Sequence, residues 1–104
     1  MSTRADLPPK LVGETKTYSF DFSSNLAVGE TISSATVTAT VYSGTDASPS
    51  AILSGADSTS GAVVSQNITA GTLGVIYELI CAATTSLSQV LQQVGLLAII
   101  PDEP

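Results

Sequence analysis

The side chains in this chain that can do chemistry are few and far apart. There is no histidine and a single cysteine, Cys81. Nucleophilic catalysis pairs a hydroxyl or thiol with a nearby base, most often an imidazole, so the usual pairs cannot be built. The same shortage removes zinc-type sites, which draw on imidazole and thiolate ligands. Cys81 has no partner for an intramolecular disulfide. Its apolar surroundings, Leu79-Ile80-Cys81-Ala82-Ala83, read as those of a small buried hydrophobe, with a reactive thiol a distant second.

The acids do not supply what the bases lack. Asp21, Glu30, Asp46, Asp57 and Glu78 are scattered, whereas two-carboxylate hydrolysis needs two adjacent acids. Asp46 and Asp57 fall in Ser- and Gly-rich stretches that read as loops, and in principle they meet around a calcium ion. No D-x-D-x-D-G pattern supports this, and solvated turns account for them better. Gly13-Glu14-Thr15-Lys16-Thr17 ends like a phosphate loop but lacks its glycine spacing and Gly-Lys pair. Asn67-Ile68-Thr69 is a glycosylation sequon, read as chance because no secretory signal precedes it. The expectation is a protein with no catalytic residues, no metal and no cofactor.

Composition narrows the partners. At 104 residues the chain is one domain. Hydrophobic residues make up 43%, aromatics only 5% and charged residues 12%, so the core is built from aliphatic side chains with a few rings. Many Thr and Val with little charge suit half-buried strands. The net charge is −6, and all three cations, Arg4, Lys10 and Lys16, precede residue 17. A body without Lys or Arg cannot neutralise phosphates, which argues against nucleic acid and against an anionic membrane. The opening MSTRADLPPK has no apolar signal-peptide core, and GLLAII near the end is too short to span a bilayer. Synthesis and folding in a cytoplasm are the expectation.

The elements that must carry these residues read as strands. Residues 1–13 form an extended arm, because Pro8 and Pro9 block both helix and central strand. Arg4, Leu7, Pro8, Pro9, Lys10, Leu11 and Val12 are its candidate partner-binding residues, laid across a neighbour that includes further copies of this chain. Residues 14–104 form the domain. Glu14–Phe22 alternates with Tyr18, Phe20 and Phe22 on one face. Thr31–Tyr42 follows, with Ala35, Val37, Ala39 and Val41 inward and a Thr row in solvent. Residues 51–54 read as a short strand, 55–61 as a loop and 62–68 as a further strand.

The central strand is Gly74–Thr84, with Val75, Tyr77, Leu79, Cys81 and Ala83 on one parity. Tyr77 lies early in it, either as a tyrosine corner whose hydroxyl reaches back to the preceding Gly-marked turn, or simply as a β-former. Gln89–Ile100 carries some helical spacing (Leu87, Val90, Leu91, Val94) but reads as a closing strand broken near Gly95. The predicted core is Tyr18, Phe20, Phe22, Val37, Val41, Tyr77, Leu79 and Cys81. Six or seven short strands in this order predict an all-β antiparallel sandwich.

The order of motifs resembles the small virion proteins of tailed bacteriophages known as fiber–tail adaptors. The resemblance rests on the F-D-F-S strand, on G-E-T-I-S-S-A-T-V, on the S-G-T-D turn, and on G-x-x-G-x-x-Y-x-L-x-C followed by T-T-S. It covers about residues 17–90. Ser86-Leu87-Ser88 departs from the Gly-containing hairpin expected there. The resemblance implies an immunoglobulin-like β-sandwich, non-enzymatic, assembled in several copies on the virion. Its implied role is an adaptor linking tail or portal-vertex components to tail fibers. A capsid decoration protein and a carbohydrate-binding module are the rival readings. The second is weakened by the absence of Trp and the small number of Tyr, since sugars stack on aromatic platforms.

Overall fold

The computed structural model describes residues 4–101. Among the described residues there are eight strands: β1 (Arg4–Asp6), β2 (Lys10–Leu11), β3 (Lys16–Asp21), β4 (Ile32–Ser43), β5 (Leu53–Ser60), β6 (Val63–Ile68), β7 (Ile76–Thr85) and β8 (Val90–Ile100). They form two sheets. The larger has the order β1-β8-β7-β4, with β2 also on β8, and the smaller has the order β3-β6-β5. The architecture is an all-β, two-sheet sandwich. Its long ladders, β4–β7, β7–β8, β3–β6 and β5–β6, are antiparallel. β1 and β2 add short parallel pairings along β8.

The core lies where the alternation placed it. Tyr18 and Phe20 from the small sheet, and Phe22 just after β3, share one cluster with Val37, Tyr77, Leu79 and Cys81 from the large sheet. Val41 is only half-buried, beside the register shift between Val41 and Ser43. Ala39 faces the cluster from β4 and is itself buried, and such small side chains let aromatics from the facing sheet approach.

Two segments differ from the sequence reading. Residues 55–61, expected as a loop, continue β5 as far as Ser60. Ser54 pairs with Asn67 and Ser58 with Ser65, so four steps on β5 match two on β6, a bulge at Gly55–Asp57. Gly55 takes φ +72°, which a glycine adopts without strain. The buried Gln66 amide donates to the carbonyls of Ser54 and Gly55, which holds the bulge. Gly and Ser in that stretch therefore mark a bulge rather than an end of pairing.

The break expected near Gly95 is absent. β8 runs continuously from Val90 to Ile100, in register with β7 throughout. A Cβ on Gly95 would lie 2.7 Å from Leu7 Cγ. The glycine leaves room for the N-terminal segment instead of stopping the strand. The β7–β8 turn falls between Thr85 and Val90. It has no glycine, and Ser88 takes the left-handed conformation at φ +63°. Thr85 organises it, with its N–H donating to Gln89 O at 2.8 Å and its Oγ1 accepting from the N–H of Gln89 at 3.2 Å.

Candidate interaction site

The segment of candidate partner-binding residues is laid along the edge of its own large sheet. β1 pairs Arg4, Ala5 and Asp6 with Val94, Gly95 and Leu96, and β2 pairs Lys10 and Leu11 with Ile99 and Ile100. Between and after them, the N–H of Leu7 donates to Leu96 O at 2.8 Å and that of Val12 to Ile100 O at 2.9 Å. The two prolines fall where β1 has ended and β2 has not begun, so their missing N–H groups cost no ladder bond. Tyr18 closes the clasp from the other sheet. Its hydroxyl donates to Pro8 O at 2.8 Å, and burial, with Glu14 nearby, pushes its pKa up to about 12.

Each candidate residue has a distinct place. Pro8 and Pro9 are exposed, and Leu7, Leu11 and Val12 are half-buried, with Leu7 and Val12 packed on the core. Lys10 is fully buried and its ammonium donates to the carbonyls of Leu11 at 2.8 Å and Glu14 at 2.6 Å. Glu14 returns a bond, accepting the N–H of Leu11 at 2.9 Å. A buried ammonium needs such partners, because desolvation without them is costly. The only sequence signal for it is a lysine set between Pro9 and the apolar pair Leu11-Val12. For Arg4, the structure describes the backbone pairing alone.

The carboxylates are employed in turns. Asp21 accepts the N–H of Ser23 at 2.8 Å, which lowers its pKa. Asp46 accepts the Tyr77 hydroxyl at 2.6 Å and the N–H of Ser48 at 2.9 Å, and both lower its pKa. The Tyr77 hydroxyl also accepts the N–H of Thr72 at 2.8 Å, so it does reach back to the turn before β7. Asp46 is a tie the sequence reading missed, since the two residues lie 31 apart in the chain.

Glu30 is buried. It accepts the Thr85 hydroxyl and the N–H of Ala27, and these bonds hold its carboxyl below the usual carboxylate range. Asp57 is half-buried within the β5 bulge, not in a loop. Among the described residues no group of three or more His, Cys, Asp or Glu is placed to hold a metal ion. Cys81 is fully buried, and burial, with Asp57 adding to it, pushes its pKa up to about 12. Tyr18, Phe20, Phe22 and Tyr77 are all buried, so Tyr42 is the one exposed ring among the described residues. A single exposed ring is not a sugar platform.

Polar side chains that hold turns and an N-terminal clasp on the larger sheet complete a small two-sheet β-sandwich. The family whose model matches residues 10–98 is described as podophage GP4 fiber-tail adaptor protein gp77. With that share of the chain matched, the protein belongs to this family. No match was found among curated proteins or among solved structures.

Proposed function

We propose that this chain joins a tail or portal-vertex component of a podophage particle to its fibers. Family membership over residues 10–98 is the observation that carries the reading. A structural adaptor family implies a place in the virion and contact with other virion proteins, among them the fibers and further copies of this chain. The role is one of binding without catalysis, in keeping with carboxylates and hydroxyls that are committed to turns. The protein is made in the bacterial host cytoplasm and needs neither nucleic acid nor membrane to act.

Within this reading, residues 1–13 are a contact element and residues 14–104 the domain that carries it. Arg4, Leu7, Pro8, Pro9, Lys10, Leu11 and Val12 divide the work. Leu7, Lys10 and Val12 anchor the segment, while Pro8 and Pro9 stand exposed to meet a neighbour. Prolines suit that task, because a stiff backbone loses little freedom on binding. The test is a phage in which the gene is disrupted. Particles that keep their tails but lack fibers are expected, with fibers restored by the full chain and less well by one with Pro8 and Pro9 replaced by Ser. Particles that retain a full set of fibers would overturn the reading.

A further inference from the structure

β3 is an edge strand of the smaller sheet, with β6 on one side only. The N–H of Phe22 donates to Ala62 O at 2.9 Å, which continues the β3–β6 ladder and fixes its phase. In an antiparallel ladder the backbone groups of successive residues point to opposite sides. Tyr18 and Phe20 therefore turn their N–H and C=O to β6, while Thr17, Ser19 and Asp21 turn theirs away from it. Asp21 bears this out, because Gln93 on β8 donates its side-chain amide to Asp21 O at 2.6 Å. Among the described residues no hydrogen bond reaches the main-chain N–H or C=O of Thr17 or Ser19.

An unpaired strand edge is a template for another extended backbone unless the fold blunts it. The opposite edge strand, β5, is blunted by its bulge at Gly55–Asp57. β3 has no bulge and no proline, and it pairs in unbroken register over all six residues. Lys16 is drawn over the Tyr18 ring, 5.9 Å from its centroid, and Thr17 and Ser19 are exposed. The larger sheet limits what can take this edge. Gln93 reaches Asp21 O from the side away from β6, and the Tyr18 hydroxyl meets Pro8 O in the clasp. β8 and the clasp therefore project past β3. A second sandwich brought edge to edge would meet the clasp before its backbone reached Thr17. The N-terminal segment of a second copy is already paired with its own β8. A lone extended segment of a different chain meets neither obstacle.

We propose that the free edge of β3 is a strand-addition site, where an extended segment of a different protein pairs with Thr17–Ser19 as a fourth strand of the smaller sheet. The pairing is antiparallel, the sense of both ladders already in that sheet. Main-chain hydrogen bonds supply the binding, and alternate side chains select the partner. Residues opposite Thr17 and Ser19 join the outer face, beside the polar pairs Thr17–Asn67 and Ser19–Ser65. Their neighbours turn in towards the clasp, where Leu7 and Val12 are half-buried. The segment that suits the edge alternates Ser or Thr with aliphatic residues. This goes beyond the adaptor reading, and the edge takes such a segment whichever protein supplies it.

The test uses the full chain, labelled with nitrogen-15, and the blocked peptide Lys-Thr-Val-Thr-Val-Thr-Lys in plain, Thr-N-methylated and Val-N-methylated forms. Without peptide, the amides of Thr17 and Ser19 should exchange quickly with solvent and those of Tyr18 and Phe20 slowly. Saturable binding of the plain peptide is expected, with exchange slowed at Thr17 and Ser19. In the proposed pairing the threonine amides face β3 and the valine amides face away. Methylating the threonines should therefore weaken binding at least about tenfold, the size of one or two lost hydrogen bonds, and methylating the valines should not. Ser19→Pro removes a donor that no bond within the chain uses, and it should weaken binding as much, whereas Ser19→Ala should leave it unchanged. The methylated peptides act on the unaltered chain, so they decide the matter even where Ser19→Pro does not fold. No saturable binding, equal binding of the Thr-methylated peptide, or protection of Thr17 and Ser19 in the free protein would overturn the proposal. So would a dimer in sedimentation that Ser19→Pro dissolves, because the occupant would then be a second copy.

Discussion

At the scale of single residues, the thiol of Cys81 and the carboxylate of Glu30 show what burial does with chemistry. Cys81 is fully buried with its pKa pushed up to about 12, so it stays a protonated thiol. The native protein should ignore Ellman reagent at about pH 8 and react once unfolded in guanidinium. Rapid native labelling would place the strand face the other way. Glu30 behaves oppositely. Its folded pKa lies below the ordinary 4.5 of a glutamate, so as the pH falls the unfolded chain takes up the proton first. The contribution of its bonds to Thr85 and Ala27 is complete above that value and fades as the pH drops through the folded one. Glu30→Gln should therefore lower the melting temperature most near about pH 7 and progressively less towards about pH 3. A difference that does not change with pH would contradict this.

Period-two alternation made the inward set legible, Tyr18, Phe20 and Leu79 among them, because it depends only on local spacing. The partners of the polar tips were not legible. Tyr18 to Pro8 and Tyr77 to Asp46 are contacts that only the assembled sandwich brings about.

At the scale of elements, β8 is the most informative strand. A glycine in a strand pattern has two readings, an interruption or a close approach by another chain segment, and spacing alone does not separate them. At Gly95 the second holds, and Leu7 fills the place of the missing side chain. Elsewhere in a strand, Gly→Ala stabilises by about 0.5–1 kcal/mol. Gly95→Ala should do the reverse, because Leu7 Cδ1 would lie 2.8 Å from the new Cβ. Hydrogen exchange at Leu7 and Val12, whose amides donate to β8, is the measurement. Faster exchange there, with β7 unaffected, is expected, and unchanged protection would show that the clasp yields without opening. The β7–β8 turn offers the converse case. Ser88 holds φ +63°, so Ser88→Gly should raise stability by up to about 1 kcal/mol in urea unfolding. A loss would mean that the serine is held there by more than its backbone. The sequence lacked the expected turn glycine, yet the register stayed fixed, because the buried alternation of β7 and β8 determines it.

At the scale of the molecule, two sheets enclose a modest aliphatic and aromatic core, and the N-terminal segment is part of the larger sheet. The all-β architecture followed from Thr and Val content and strand spacing. The clasp did not, since Pro8 and Pro9 announce extended backbone without saying what it lies on. The adaptor assignment can be tested directly by a reconstruction of the intact particle at side-chain resolution, with this sandwich fitted to it. Density for the sandwich is expected at the junction of the tail or portal vertex with the fibers, with residues 8–9 facing a neighbour. Copies found only on the capsid shell, away from any fiber, would contradict it.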